Sequence, residues 1–443
     1  MFRFFLLGFF LFCCVPDTQA TEPLTLTLID ALKMAKERAV NVVVADEKVK
    51  QALARMSQAQ AVLLPQISGS TSESRQTRNL EAQGISIPGK DPLVGPFNTF
   101  DARIKLTQSL LDVASVETLA VTSQSEALAK NQKTQSEQGA LALVASLYIE
   151  AQRAEMHVAL GRSLVAQSEE AYRLAQNQLQ QGSGTSLGLI QAQATLETSQ
   201  HQLVALKTDE DNRKKDLLAS LELSPDTKLI LPSKQKELKF EIPDDTRIES
   251  ATLNNSDLKV AQSALKKSSA EHKAAVADFL PKITAKADYG ASGTLPADSR
   301  STYTYGAELN LPLIDGGLRA ARVKEAKSHW LENKAELQDT EIKTKTAIHE
   351  AKNDLLETEK GVEATTSALT QADQELKISK QKLQSGLGSH YEVTTSILQW
   401  TRTENDWHDA IANRELATLN LIYKMGEVDN FLETLSSHSS YEK

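Results

Sequence analysis

Reactive side chains are almost missing from this chain. Its two cysteines, Cys13 and Cys14, both lie in the first 14 residues. Neither follows the small-residue box that precedes a lipid-modified bacterial cysteine, so the remaining chain holds neither disulfide nor thiol chemistry. The eight histidines are scattered, and no two have the spacing of a helical zinc site. Carboxylates are plentiful, yet no pair is set apart for acid–base work. The expectation is therefore no enzyme, no metal and no cofactor. Gly182, Gly184 and Gly188 come nearest to a phosphate loop. Their spacing is wrong, they follow a helical pattern instead of a strand, and the lysine of a phosphate loop is missing. An excess of positive charge is also lacking: the net value is −9, which argues against nucleic acid as a partner. Beyond the N-terminus no run of 18 apolar residues occurs, which excludes a membrane-crossing helix. A β-barrel is not excluded, because its strands need only about 10 alternating residues.

What the chain does have is helix with a period of seven. Leu355, Val362, Leu369, Leu376 and Leu383 recur every seventh residue, with Thr358, Thr365, Ala372 and Ser379 three places on. The run stops at Gly386-Leu387-Gly388 and resumes with Val393, Trp400 and Trp407. The first half has the same pattern: Val158, Val165, Tyr172 and Leu179 form one seam, and Ala154, Gly161, Ser168 and Ala175 the other. Gly182-Ser183-Gly184 closes that run, and Leu189, Leu196 and Leu203 continue beyond it. A strict repeat of seven predicts left-handed supercoiling, and one small residue per heptad lets backbones approach closely. Two long helical hairpins with glycine-bearing tips follow. Trp400 and Trp407, one heptad apart, are expected in the packing of the second.

Taken in order, Met1 to Ala20 has the positive start, apolar core and small-residue end of a signal peptide. A first repeat is expected over 21–223, with helix over 28–64, strands at about 67–78 and 100–108, a loop over 79–98, and a helical hairpin over 113–223. Proline is absent from 113 to 181, and an unbroken helix of that length would run roughly 100 Å. A linker follows at 224–247. The second repeat, 248–426, has strands at about 283–291 and 302–312 and a hairpin over 316–425, and a tail occupies 427–443. The two halves echo each other: Leu63-Leu64-Pro65 matches Phe279-Leu280-Pro281, and Leu110-Leu111-Asp112 matches Leu313-Ile314-Asp315.

The predicted fold is mainly α with a membrane β-barrel portion. Four strands in two hairpins cannot close a barrel, and open edges are not tolerated in hydrocarbon. Several copies must therefore close one barrel together. The apolar strand positions would face lipid, with Tyr303 and Tyr305 at its interfacial girdle. Asp101, Arg103, Lys105, Lys286, Asp288 and Glu308 would face a watery lumen.

With these features the chain resembles the TolC-like outer membrane efflux proteins, the outer membrane factors, over about Leu26 to Gly426. The resemblance rests on the Leu-Pro strand entries at Pro65 and Pro281 and on the strand exits Leu106–Asp112 and Leu309–Gly317. It rests also on the tips at Gln181-Gly182 and Ser385-Gly386. It implies a homotrimer with a 12-stranded barrel, four strands per chain, in the outer membrane, continued by an α-helical barrel through the periplasm. It implies docking of the tip turns, Gly182, Gly184, Gly386 and Gly388, to a periplasmic adaptor and an inner-membrane transporter. Cargo would pass from periplasm or pump to the exterior in a tripartite efflux or type I secretion system. The family's Asp-x-x-Asp entrance turn falls on Glu392 and Thr395, which implies a single-acid ring. The Asn-Pro that often opens the first helix of each repeat reads Ala39-Val40 and Asn255-Ser256 here. Two other readings compete. A periplasmic adaptor would show one hairpin flanked by compact β domains. A structural envelope coiled coil would not need paired strands joined directly to its helices.

Overall fold

The structure, a computed structural model, describes residues 23–85, 87–89, 91–232, 240–385 and 387–429. The expected signal peptide with Cys13 and Cys14, the tip glycine Gly386, part of the linker and most of the tail lie outside the described residues.

In chain order the elements are β1 (Leu24–Thr25), α1 (Leu28–Arg38), α2 (Val40–Leu63), β2 (Gln66–Asn79), β3 (Leu93–Leu111), α3 (Val113–Gln180) and α4 (Ser186–Ser220). They continue with β4 (Leu229–Ile230), α5 (Asp245–Asn254), α6 (Ser256–Ala277), β5 (Lys282–Gly293), β6 (Arg300–Asn310), α7 (Leu318–Gln384) and α8 (His390–Lys424). Among the described residues no helix is long and apolar enough to cross a membrane.

Three elements differ from the sequence expectation. The helix expected over 28–64 is broken at Ala39, whose backbone (φ −56°, ψ 127°) leaves the helical region without any side-chain cap. The corresponding break in the second repeat is explained by chemistry: the Asn255 side chain accepts from the N–H groups of Asp257 (2.8 Å) and Leu258 (3.3 Å) and donates to the Lys424 carbonyl (2.8 Å). The strand expected from 100 begins at Leu93, so the loop before it is shorter than its Gly and Pro content suggested. The linker contributes β4, which pairs in parallel with β1.

The chain divides into two compact units, and each draws on both halves of the sequence. Of the described residues, one comprises 23–34, 147–232 and 369–409; the other comprises 35–146, 240–368 and 410–429. The first holds the hairpin ends. Its heptad seams are buried where small residues were expected, at Ala154, Gly161, Ser168 and Ala175. A Cβ on Gly161 would lie 2.8 Å from Leu206 Cδ1, so α3 and α4 are drawn together at this point. Across the same seam the buried Ser168 and Ser199 hydroxyls meet at 3.1 Å. Leu164, Leu376, Val393 and Ile397 form a buried cluster, with Leu383 and Trp400 against it. The buried Tyr148 hydroxyl donates to the Leu26 carbonyl at 3.1 Å, tying the N-terminal segment to α3.

The second unit holds the four-stranded antiparallel sheet, in the order β2-β3-β5-β6, and the helices that enter and leave it. α2 meets α3 at Val49, Ala52 and Ala129 and through Lys133 and Asp46 (2.7 Å). α3 meets α6 through Asn131 and Ser263 (2.6 Å). α6 meets α7 where His272 stacks on Trp330, with ring centres 6.1 Å apart. The helix order α2-α3-α6-α7 thus repeats the strand order. A core of Ile248, Ala251, Ile348, Ala351, Leu355, Leu421 and Met425 joins α5, α7 and the end of α8 in this unit.

The echoed Leu-Leu-Asp and Leu-Ile-Asp segments are helix starts. Asp112 accepts from the Ser115 N–H (3.0 Å), and Asp315 accepts from the N–H groups of Gly317 (3.1 Å) and Arg319 (3.0 Å). The Arg319 side chain above all, then its backbone N–H, holds the Asp315 carboxyl down at about 2. It therefore stays ionised where the α7 N-terminus needs an anion.

Sheet faces and hairpin tips as candidate functional sites

Strand register places all six charged candidates on one face of the sheet. Asp101, Arg103 and Lys105 alternate on β3; they pair with Ser292, Gly290 and Asp288 of β5, with Lys286 two residues from Asp288. On β6, Thr302, Thr304 and Glu308 share this face, and on β2 so do Ser68, Ser70 and Ser72. The Arg103 guanidinium gathers the centre. It donates to Asp101 (2.9 and 3.0 Å), to Asp288, and to the Thr302 hydroxyl (3.3 Å). To reach Asp288 and Thr302 it crosses β5 at Gly290, where no side chain stands in its way. Lys286 and Glu308 form a separate ion pair. Lys105 stays apart from both groups among the described residues. The register adds Lys282 of β5 and Arg300 of β6 to this face, so it carries five cations against three anions, and Lys282 reaches Asp112 just beyond β3 at 3.4 Å.

The opposite face reads Phe100, Ala102, Ile104 and Leu106 on β3, Ile283, Ala285, Ala287 and Tyr289 on β5, and Tyr303, Tyr305, Ala307 and Leu309 on β6; on β2 it carries Ile67, Gly69 and Thr71, then Glu73 and Arg75 toward the β2–β3 loop. Its largest apolar side chains are mostly bare: Ile104 is 60% exposed, Tyr303 71%, Tyr305 79% and Leu309 64%. Tyr303 and Tyr305 stack with ring centres 6.2 Å apart. Exposed Leu64, Leu110, Leu313 and Ile314 continue the apolar surface to the strand–helix junctions. An apolar surface of this extent marks an interaction or membrane face. Among the described residues the outer edges of β2 and β6 have no partner.

The two hairpin tips match residue by residue. In the first, the N–H groups of Ser183 and Gly184 both donate to the Gln178 carbonyl at 2.9 Å. In the second, Leu387 and Gly388 donate to the Lys382 carbonyl at 2.9 and 3.0 Å. Gly182 has φ +71°, the left-handed conformation that a helix C-terminus favours for glycine. Gly184 and Gly388 are needed for space. A Cβ would lie 2.8 Å from Leu179 N in the first and 2.9 Å from Lys382 Cβ in the second. Thr185 and Ser389 then start the return helices by accepting from the N–H groups of Gly188 (3.1 Å) and Glu392 (3.2 Å). Exposed Leu187 and Ile190 follow the first tip, and Leu387 and Tyr391 lie at the second. Glu392 and Thr395 are exposed in the first turns of α8. The Thr395 hydroxyl is occupied by its own helix, donating to the Tyr391 carbonyl at 2.9 Å.

One charged cluster was not foreseen, because its members are far apart in sequence and no motif joins them. In the unit of the hairpin ends, Asp409 of α8 lies 3.0 Å from His157 and 3.5 Å from Arg153 of α3. Burial, and next the nearby His157, push the adjacent His408 imidazole below its ordinary value. Burial raises the Glu404 carboxyl, with Asp373 adding to the effect. The folded chain therefore sheds a proton from His408 that the unfolded chain keeps up to about pH 6.5. The stability tied to His408 is present above that pH and lost as the pH falls below it. A thermal melt is expected to drop between pH 7.5 and 5.5, and His408→Gln to flatten that slope.

A sheet with one largely apolar and one charged face, joined directly to long helical hairpins, is the pattern expected of an outer-membrane channel. The sequence profile of the outer membrane efflux proteins matches residues 31–221 and 247–427, and the chain belongs to that family. It is an outer membrane protein of the efflux class, a transport channel. Solved structures share its fold. The CmeC outer membrane channel of Campylobacter jejuni is 17% identical, with TM-score 0.78 over 92% of this chain and 89% of its own. The outer membrane protein VceC of Vibrio cholerae is 16% identical, with TM-score 0.76 over 90% of this chain and 96% of its own. The MtrE outer membrane channel of Neisseria gonorrhoeae, in an open state, is 15% identical, with TM-score 0.76 over 90% and 88%. No curated protein sequence matches the chain.

Proposed function

We propose that three copies of this chain close a 12-stranded barrel in the outer membrane and extend it as a helical tunnel into the periplasm. The tips dock to a periplasmic adaptor and its inner-membrane pump, in a tripartite efflux or type I secretion system. The observation that carries this reading is the sheet: four strands, two unpaired edges, one bare apolar face and one charged face. Such a sheet is unstable alone in lipid and becomes stable once its edges are joined around a lumen. The charged face then lines the water path and the tyrosine face meets the acyl chains. Cargo moves passively through this duct, and the pump supplies the energy.

Single-channel recording of the detergent-extracted oligomer in a planar bilayer tests this. Discrete, low-conductance steps support the duct. A protein that does not insert and stays soluble as a coiled coil removes it. Because the charged face of the sheet holds more cations than anions, cation preference is assigned to the tip end, where Glu392 supplies the acid of an entrance ring and Thr395 supplies none. Glu392→Gln is expected to lower cation preference and weaken block by divalent cations several-fold, since a ring of carboxylates concentrates counter-ions. Unchanged block in that variant would remove Glu392 from the entrance.

A further inference from the structure

One stripe of α6 changes character on its way to the sheet. Lys266, Ser269, Lys273 and Val276 follow one another at intervals of three and four, so they share one face of the helix. Leu280 continues the line past the helix end. Lys266 and Lys273 are exposed; toward the sheet so are Val276, Phe279 and Leu280. Beside the basic half, a groove of about 460 Å³ opens between α3 and α6. Ala120 of α3, Leu265 and Ala270 of α6 and Trp330 of α7 line it, along with both lysines. His272 stacks on Trp330 and steadies the indole. Glu117 is the one acid that lines the groove. The neighbouring Glu271 is taken up by Lys267 (3.3 Å) and His329 (3.4 Å). Among the described residues Lys266 and Lys273 have no ion-pair partner.

Charge and position together identify the occupant. The groove belongs to the two middle helices of the order α2-α3-α6-α7, away from the free strand edges at β2 and β6. Lys273 lies 4 residues before the end of α6 and Lys266 lies 11. At 1.5 Å per residue these are depths of about 6 and about 17 Å. The headgroup layer beside the hydrocarbon is roughly 5 to 8 Å thick on each side. With Val276 at the hydrocarbon edge, Lys273 falls inside that layer. The Lys266 stem carries its charge up to the lower boundary. Two unpaired cations therefore stand at headgroup depth, directly below an exposed apolar strip. A free phosphate would use the lysines alone and leave that strip bare. A zwitterionic head brings no net charge to the lysines.

We propose that this groove seats the head of an anionic phospholipid from the periplasmic leaflet, its phosphate between Lys266 and Lys273 and its acyl chains along Val276, Phe279 and Leu280. Trp330 packs against the glycerol end, where an indole is at home between apolar and wet surroundings. The inference rests on the membrane placement of the sheet proposed above, and adds a lipid of one class at one place on the wall.

Native mass spectrometry of the detergent-extracted full chain tests it, with phosphatidylglycerol and phosphatidylcholine of identical acyl chains as probes. Phosphatidylglycerol is expected to form adducts at roughly tenfold lower concentration, since each lysine near an anionic head adds attraction. The double variant Lys266→Gln with Lys273→Gln should lose that preference and keep its helical circular dichroism, because both residues are exposed. Lys377→Gln with Lys380→Gln, exposed near the far end of α7, should keep the preference. Equal binding of the two lipids, or a preference that survives the first double variant, overturns the proposal. Loss of the preference in both double variants overturns it too, since any surface charge would then serve. Glycerol 3-phosphate in excess should not displace the lipid; displacement would show a site for free phosphate esters and overturn the lipid assignment. A chain that inserts into bilayers without the lipid preference leaves the channel reading standing. A chain that never enters a bilayer overturns both.

Discussion

A Gly388→Val chain is expected to reach the outer membrane in normal amount and to lose most of its export. The turn at the second tip admits no Cβ: beside Lys382 Cβ at 2.9 Å, the Leu383 backbone nitrogen lies at 3.0 Å. A branched side chain must open the turn, against about 1–3 kcal/mol of overpacking. The two hydrogen bonds to the Lys382 carbonyl stretch first, and the exposed Leu387 moves with them. If the tip is a docking surface, strain of that size weakens docking roughly ten- to hundredfold. Gly184→Val should act alike, since its Cβ would meet Leu179 N at 2.8 Å. Gly361, in mid-α7 with nothing within 4 Å, is the control. Alanine there should be neutral or slightly stabilising, by up to about 1 kcal/mol, because it favours helix. The readout is export by whole cells beside the amount of protein in the outer membrane fraction. Full export by Gly388→Val would remove the tip from the docking role.

Gly290→Val should have the opposite profile, failing before the membrane instead of after it. The missing Cβ would lie 2.3 Å from the Ala102 carbonyl oxygen, 2.6 Å from Arg103 Cγ and 2.8 Å from Arg103 Cα. Two of these atoms are backbone, so β3 and β5 would have to part, at about 3 kcal/mol or more. The Arg103 guanidinium would also lose its path to Asp288 and Thr302, leaving carboxylates of the sheet uncompensated. The expected result is loss of the heat-stable oligomer and of the protein from the outer membrane fraction. Gly306→Val, on β6 with nothing within 4 Å, should be tolerated. Equal losses in both variants would show that any bulk on this face is harmful and that Gly290 has no special place.

Much of this architecture is written locally. The heptad seams, the glycine tips and the Leu-Pro strand entries are short-range signals, and the duplication shows each of them twice. The charged set Asp101, Arg103, Lys105, Lys286, Asp288 and Glu308 came from period-two alternation alone, and the register puts all six on one face. Four things were illegible for physical reasons. The break at Ala39 has no cap, proline or glycine to announce it. The β1–β4 pair joins residues some 200 positions apart, and nothing in two-residue strands reveals such a partner. The cluster of His157, His408 and Asp409 depends on which faces of α3 and α8 meet, which neither helix specifies alone. The start of β3 at Leu93 was hidden by composition, since Gly95 and Pro96 read as a loop and yet lie within a strand.

The balance of charge on the sheet bears on what the duct can carry. A wall lined by one sign holds a Donnan excess of counter-ions, so cargo of that same sign must pay an electrostatic toll to enter. In the proposed barrel Arg103, Lys105 and Lys286 are matched by Asp101, Asp288 and Glu308, most of them already tied to one another, while Lys282 and Arg300 at the strand ends add positive charge. Such a wall is balanced at mid-height and keeps only a small positive excess, which favours acidic cargo over basic cargo slightly. Sorting would then fall to the partner that loads the duct, and one exit could serve several pumps.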